Sequence, residues 1–129
     1  AAAGESLVDL AVRAGEAALE KAGLRAVELG VVLVASGTAE RRFPGPAAEV
    51  QARLGATGAL ALDVPVASAG GLFALAEAVL WLGRVERVLV IAAEKLSGVA
   101  MAEPVEKGTA MLFGDGAGAA LLARGGGKA

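Results

Sequence analysis

The chain has 129 residues, which suffices for one domain or for a piece of a larger one. Apolar residues make up 56% of it but aromatic residues only 3%, so aliphatic side chains must form the core and leave apolar surface for a partner. The net charge is −2 with both signs scattered, which excludes a basic nucleic-acid interface. The chain has no Cys and no His, which excludes disulfides, thiolate metal sites and the usual general base near neutral pH.

No apolar run reaches the roughly 18 residues that a membrane span needs. The first residues also lack the basic and apolar pattern of a signal peptide. Both observations predict a cytoplasmic protein that does not enter a membrane.

The first part of the chain predicts a helix, a strand and a second helix. Apolar residues at helical spacing indicate a helix over 6–22, where Ser6 and Asp9 form a capping-box pattern. The continuous β-branched run 29–35 predicts a strand covered on both faces. A short helix with an early proline is predicted over Pro46–Leu54.

The second part predicts a buried strand over 59–66, a helix over about 68–82 and further strands over 87–93 and 117–123. The segment 109–113 fits neither pattern clearly. Strands that alternate with helices are typical of an α/β fold with a parallel sheet.

The helix after Ser68 has Glu77 as its only charge and is apolar nearly all round. Such a helix must be buried on all sides, which one sheet cannot achieve. The sequence therefore predicts a second layer, from a missing half or from a partner, over the apolar residues Leu72, Phe73, Leu75, Val79, Leu80 and Trp81.

Ser68 stands where a buried strand becomes this helix, and two interpretations compete. As a helix N-cap it would satisfy backbone amides, which is the commoner role of a serine there. Alternatively, its hydroxyl faces a substrate whose charged oxygen lies at the helix N-terminus, and Gly70 and Gly71 leave room for that ligand. The pattern resembles a nucleophile elbow, although Val66 replaces the first glycine of G-x-S-x-G.

Three other motifs have ordinary interpretations. The glycine-rich run 113–118 (FGDGAG) predicts a tight turn into a strand, with Asp115 bonding backbone amides, rather than a nucleotide-binding loop. The loop with Arg41, Arg42 and Phe43 is solvated, with Phe43 a candidate partner contact. Glu94 and Lys95 end a strand, where α/β sheets tend to place ligands, but a solvated ion pair is the commoner interpretation of such residues.

Taken together, four segments resemble the N-terminal half of β-ketoacyl-acyl-carrier-protein synthase III, in the thiolase-like superfamily. The similarity covers residues 6–123, and its most specific part is T-x-x-x-F-G-D-G-A-G-A. The segments that carry it are VVLVASGT…FPGPAAEVQARLGA, LDVPVASAGGLFAL, RVLVIAAEKLS and KGTAMLFGDGAGAALL.

The resemblance implies a thiolase-like half-domain over 1–123, with a mixed, mostly parallel sheet and helices on both faces. The first strand and a C-terminal half, which carries the family's catalytic His and Asn, would be missing, and 124–129 would form a flexible tail. It implies transfer of an acyl group from coenzyme A to malonyl-acyl carrier protein with loss of carbon dioxide. It also implies a homodimer, no metal and no bound cofactor, with the coenzyme A thioester as substrate.

The resemblance places the family's nucleophilic cysteine at Ser68, and it places at Phe43 a residue that reaches the partner's acyl pocket. Gly71 stands where the family has a bulky residue, which predicts a wider acyl pocket. Three explanations for the serine stay open: an engineered exchange, a natural serine-dependent acyltransferase, or a site that binds without turnover.

Two other classes of function compete with this one. A non-catalytic module that dimerises through its apolar surface fits the absence of His and Asn. A nucleotide-binding domain that uses the glycines of GDGAG is the weaker alternative, and it predicts stabilisation by a dinucleotide.

Overall fold

The computed structural model describes residues 4–125, which form four strands and five α-helices. A single turn of 3₁₀ helix, Ala26–Glu28, precedes the first strand. In chain order the elements are α1 (Leu7–Ala22), β1 (Val31–Ala35), α2 (Pro46–Leu54), β2 (Leu60–Val64), α3 (Gly70–Trp81), β3 (Arg87–Lys95), α4 (Ser97–Ala100), α5 (Lys107–Leu112) and β4 (Asp115–Ala123).

The four strands form one sheet in the order β2-β1-β3-β4. β1 pairs in parallel with β2 and β3, whereas β4 is antiparallel to β3. The prediction of a mixed, mostly parallel α/β sheet with helices on both faces is confirmed. The ambiguous segment 109–113 lies mainly in the short helix α5.

The helix α1 closes one face of the sheet. Ser6 and Asp9 form the predicted capping box, and Gly23 ends the helix in the left-handed conformation. Alternate strand residues, Val32 and Val34 in β1, point to this face. The α1 side chains in this core are Leu7, Val8, Ala11, Val12 and Leu19.

The helix α3 lies on the opposite face. Its buried residues, Gly70, Ala74 and Ala78, are four positions apart and small, so the helix approaches the sheet closely. Its other side is open: Leu72 is 73% exposed and Leu80 is 77% exposed. Residues 4–125 therefore do not supply the second layer that the sequence predicts over this helix.

Two further predictions need correction. The strand predicted over 59–66 as buried is an edge strand, because β2 pairs only with β1, and Leu60 is half exposed. The tail was predicted to start at residue 124, yet the Arg124 amide donates to the Glu86 carbonyl at 2.8 Å, and its side chain bonds two further carbonyls. Residues 126–129 of that predicted tail lie outside the described residues.

No helix in the described part of the chain is both long and apolar enough to cross a membrane.

Candidate active site at the start of α3

Ser68 occupies the turn between β2 and α3 in a conformation that serine seldom adopts. Its φ of 58° makes it the one non-glycine residue with positive φ among residues 4–125. Such a conformation costs free energy and persists only where the surrounding structure enforces it. The N-cap of α3 is Ala69, not Ser68. The capping interpretation is therefore wrong, and the turn instead matches the strained strand-to-helix geometry of a nucleophile elbow.

A cavity of about 250 Å³ adjoins Ser68. It lies at the carboxyl ends of β1 and β3, where ligands bind in many α/β sheets. Most of its walls are formed by glycine and alanine, which leave the space beside Ser68 open. The other lining residues are Ala35, Val66, Gly71, Ala92, Ala93, Glu94, Gly116, Ala117 and Gly118.

The two glycines after Ser68 differ in their surroundings. Gly71 lines the cavity, and a Cβ on it would meet the Cβ of Ala92 at 3.3 Å. Gly70 is buried, with the side chains of Val66 and Ala35 at 3.4 and 3.5 Å from the position of a Cβ. The structure thus places Gly71 at the cavity and Gly70 in the contact between α3 and the sheet.

Glu94 does not form the predicted ion pair with Lys95. Its Oε1 accepts a hydrogen bond from the Gly37 amide at 2.9 Å, and its Oε2 accepts from the hydroxyls of Ser36 and Thr38. The Lys95 ammonium instead pairs with Glu40 Oε1 at 3.5 Å, and the Lys95 backbone amide donates to the Thr38 hydroxyl at 2.8 Å. The end of β3 is therefore tied to the segment that follows β1.

The sequence placed Glu94 at a strand end where ligands often bind, but the ion-pair interpretation was preferred, and Gly37 was not identified at all. The available signal was a carboxylate at the carboxyl end of a buried strand, opposite the S-G-T that follows a neighbouring strand. Parallel strands bring such ends to one edge of the sheet, so the pairing could have been predicted from β1 and β3 alone.

Phe43 is 91% exposed, in the loop between β1 and α2. It does not line the Ser68 cavity, so the described chain does not bring these two predicted site residues together. Arg41 and Arg42 line a separate cavity of about 490 Å³, which also includes Asp63. The Asp63 carboxylate accepts a hydrogen bond from the Ala47 amide at 2.8 Å and so caps the N-terminus of α2.

The glycine-rich run does not form a separate tight turn, because Gly116 and Gly118 lie within β4. No helix follows them in the described chain, which removes the strand–loop–helix arrangement that a dinucleotide site requires. Asp115 accepts a hydrogen bond from the Ser97 amide at 2.8 Å, as its predicted structural role requires. This bond is the main cause that lowers the Asp115 pKa to about 2.

Among the described residues, no group of three or more His, Cys, Asp or Glu side chains is arranged to hold a metal ion. The expectation that the protein uses no bound cofactor stays a prediction.

Comparison with known proteins assigns this arrangement to a class. Residues 62–129 match the family model of 3-oxoacyl-[acyl-carrier-protein (ACP)] synthase III, for which β-ketoacyl synthase III is a synonym. A β-ketoacyl-[acyl-carrier-protein] synthase III of Ruegeria pomeroyi is 46% identical over 124 residues, which are 95% of this chain and 38% of the relative. A Rhodobacter capsulatus protein of the same name is also 46% identical, with the same coverage.

Solved structures of synthase III-type proteins are similar to this chain as well. The 3-oxoacyl-[acyl-carrier-protein] synthase III of Aquifex aeolicus superposes with a TM-score of 0.88 at 39% identity, over 97% of this chain and 41% of that chain. The priming β-ketosynthase of the R1128 polyketide biosynthetic pathway gives a TM-score of 0.86 at 33% identity, over 92% of this chain and 36% of that one. The fold is thus the thiolase-like α/β fold of these structures.

The chain belongs to the 3-oxoacyl-[acyl-carrier-protein] synthase III family. It spans about two fifths of the length of the relatives that it matches.

Proposed function

We propose that the protein acts as a β-ketoacyl-acyl-carrier-protein synthase III-type acyltransferase, with residue 68 as the position that carries the acyl group. The observation that supports this most directly is the strained backbone of Ser68, at the N-terminus of α3 and beside a cavity. A residue held in this conformation presents its side chain outward, where a substrate carbonyl can approach.

The reaction has two stages. The oxygen or sulfur of residue 68 attacks the thioester carbonyl of an acyl-coenzyme A, the carbon–sulfur bond breaks, and coenzyme A leaves as the thiol. Malonyl-acyl carrier protein then loses carbon dioxide. The resulting carbanion attacks the acyl carbonyl, which forms the β-ketoacyl product and releases residue 68.

Backbone amides support the first stage. The first amides of a helix have no partner within the helix, and they favour negative charge at its N-terminus. The amide of residue 68 would help to hold the oxyanion that develops on the thioester carbonyl. The family resemblance assigns the second amide of this oxyanion hole to the C-terminal half.

A serine at this position needs a base, whereas a cysteine thiol ionises near pH 8.5 and a helix N-terminus lowers that pKa. Glu94 lines the same cavity, but both of its oxygens accept hydrogen bonds from residues 36–38, so it acts as an anchor. The base would be the His that the resemblance assigns, together with Asn, to the C-terminal half. This chain contains neither residue type.

A homodimer would complete the acyl pocket. Phe43 is almost fully exposed at the tip of its loop, as a side chain that enters a partner's pocket must be before assembly. The open side of α3 would be covered by the C-terminal half. The same proposal places the protein in the cytoplasm, with acyl carrier protein as its partner.

The test measures β-ketoacyl product by mass spectrometry, with the full-length gene product, an acyl-coenzyme A and malonyl-acyl carrier protein. Ser68→Ala should abolish product, whereas Ser68→Cys should raise its rate about tenfold or more, because a thiolate needs no separate base. Thr57→Ala removes a hydroxyl from an exposed turn and serves as the control. Product formation that is unchanged in Ser68→Ala would contradict the proposal.

A second candidate is a non-catalytic dimerising module, and the exposed apolar side of α3, with Leu72 and Leu80, is the observation that favours it. That candidate predicts a folded protein that yields neither product nor an acyl adduct. A serine-dependent acyltransferase with another acceptor would yield the adduct on Ser68 but no condensation product, so the two measurements separate the three functions.

A further inference from the structure

We infer that Glu94 is a positioning residue, which fixes the backbone of residue 68 by holding Gly37 against Ala67. This inference rests on the proposed function only in taking residue 68 as the nucleophile position. It assigns a role to Glu94, Gly37 and Ala67, which lie at the end of the sheet beside residue 68 and do not take part in the reaction.

Glu94 is hydrogen-bonded to the segment that follows β1. Its carboxylate accepts bonds from three consecutive residues, Ser36, Gly37 and Thr38. The Thr38 hydroxyl also accepts a bond from the Lys95 amide, and the Ser36 hydroxyl accepts one from the Thr38 amide at 3.1 Å. Ser36 is only 5% exposed. Hydrogen bonds to a charged acceptor are the stronger kind, so this segment is held firmly to the end of β3.

Gly37 lies very close to Ala67. A Cβ placed on Gly37 would lie 2.5 Å from the Cβ of Ala67 and 2.8 Å from its Cα. Only glycine permits this approach, because the nearest atoms include backbone that cannot swing aside. The Ser36 amide also donates to the Val64 carbonyl at 3.1 Å, which fixes the adjacent residue.

Ala67 is the chain neighbour of the candidate site residue Ser68. Ala67 directly precedes Ser68, whose positive φ needs enforcement from its surroundings. No side chain caps the N-terminus of α3 among the described residues, and the backbone of Gly37 lies close against Ala67. The path from Glu94 through Gly37 and Ala67 supplies such support, and it aims the side chain of residue 68 relative to the first amides of α3.

A thiol at position 68 makes this orientation measurable. These 129 residues contain no Cys, and peptide mapping separates a thiol introduced by Ser68→Cys from any other thiol of the longer protein. In the full-length gene product, the pH dependence of iodoacetamide alkylation is followed by mass spectrometry of the peptide that carries residue 68. We expect a thiol pKa below the ordinary value of about 8.5, because the helix amides favour the thiolate.

Adding Gly37→Ala to Ser68→Cys should raise that thiol pKa by about 0.5 or more, which slows alkylation at neutral pH about threefold. Gly58→Ala is the matched control, because nothing lies within 4 Å of its added Cβ, and it should leave the pKa unchanged. A Gly37→Ala variant that folds and keeps the parent pKa overturns the inference.

Thr38→Val keeps the test decisive if Gly37→Ala does not fold. It removes both hydrogen bonds of the Thr38 hydroxyl without changing a charge, so the thiol pKa should rise by a smaller amount. An unchanged pKa would count against the inference. Alkylation needs no acyl-coenzyme A, so this test is independent of acyl transfer. A protein that shows the shifted thiol pKa but no acyl transfer would contradict the proposed function and support this inference.

Discussion

The two faces of the sheet differ in the size of the side chains that their helices bury. On one face, α1 buries the large side chains Leu7 and Leu19 against the strands and turns its charges outward. On the other face, α3 buries only a glycine and alanines, and its large residues, such as Leu72 and Leu80, point away from the sheet. The closed face holds the fold together, whereas the open face carries Ser68 and has apolar surface in excess.

The largest expected effect tests the closed face. Leu7→Ala should destabilise the chain by about 2–5 kcal/mol, because Leu7 is completely buried in the α1 core. Leu80→Ala makes the same change on α3, where the side chain is 77% exposed, and should cost no more than about 0.5 kcal/mol. Urea unfolding of the 129-residue chain measures both. If both variants lost the same free energy of unfolding, the proposed difference between the two faces would be wrong.

The open face can be tested by its apolar surface. Leu72→Lys combined with Leu80→Lys should lower the fluorescence of an apolar dye bound to the 129-residue chain about twofold or more. The urea midpoint should change little, since both side chains are already exposed. Ala17→Lys and Ala22→Lys add the same two positive charges at exposed positions of α1 and control for the charge. Dye binding that falls equally in this control would show that the α3 surface is not its site.

The cavity at the open face predicts a change in substrate preference. Gly71→Phe in the full-length gene product should shorten the acyl chain that is preferred, because Gly71 lines the cavity beside Ser68. Gly71→Ala should have a smaller effect, since its Cβ meets only the Cβ of Ala92, at 3.3 Å. Competition between acyl-coenzyme A substrates of different length measures the profile. An unchanged profile in Gly71→Phe would rule out this role of the position.

The smallest expected effect concerns pH and the N-terminus of α1. The Ser6 amide and the Arg53 guanidinium lower the Asp9 pKa to about 2 by hydrogen bonding to its carboxylate. A lowered pKa contributes stability above the ordinary value of 3.8, and this contribution is lost as the pH falls from about 4 to about 2. Asp9→Asn should therefore unfold at lower urea than the parent at pH 7, with the difference vanishing near pH 2. A difference that is the same at both pH values would contradict this account.

The sequence predicted the closed face well because its signals are local. The capping box at Ser6, the helix stop at Gly23 and the β-branched run that became β1 each depend on neighbours in the chain. For the open face, the apolar pattern of α3 predicted a helix that needs a second layer from a missing half or from a partner. Residues 4–125 do leave this side of α3 open. The pattern of α3 alone does not tell which of the two supplies the layer.

The candidate site was predicted in part. Position 68 was identified, but its N-cap interpretation was wrong, because backbone φ is decided by tertiary contacts such as that of Gly37 with Ala67. Glu94 was misassigned to Lys95 for the same reason. Its partners at 36–38 lie more than 50 residues away, and only the pairing of β1 with β3 brings them together.

The measurement that tests the central claim most directly is the mass of the full-length gene product after incubation with an acyl-coenzyme A, followed by peptide mapping. The account predicts one added acyl group, on the peptide with Ser68, and none in the Ser68→Ala variant. An acyl group that maps to another residue, or an adduct that survives in Ser68→Ala, would contradict it.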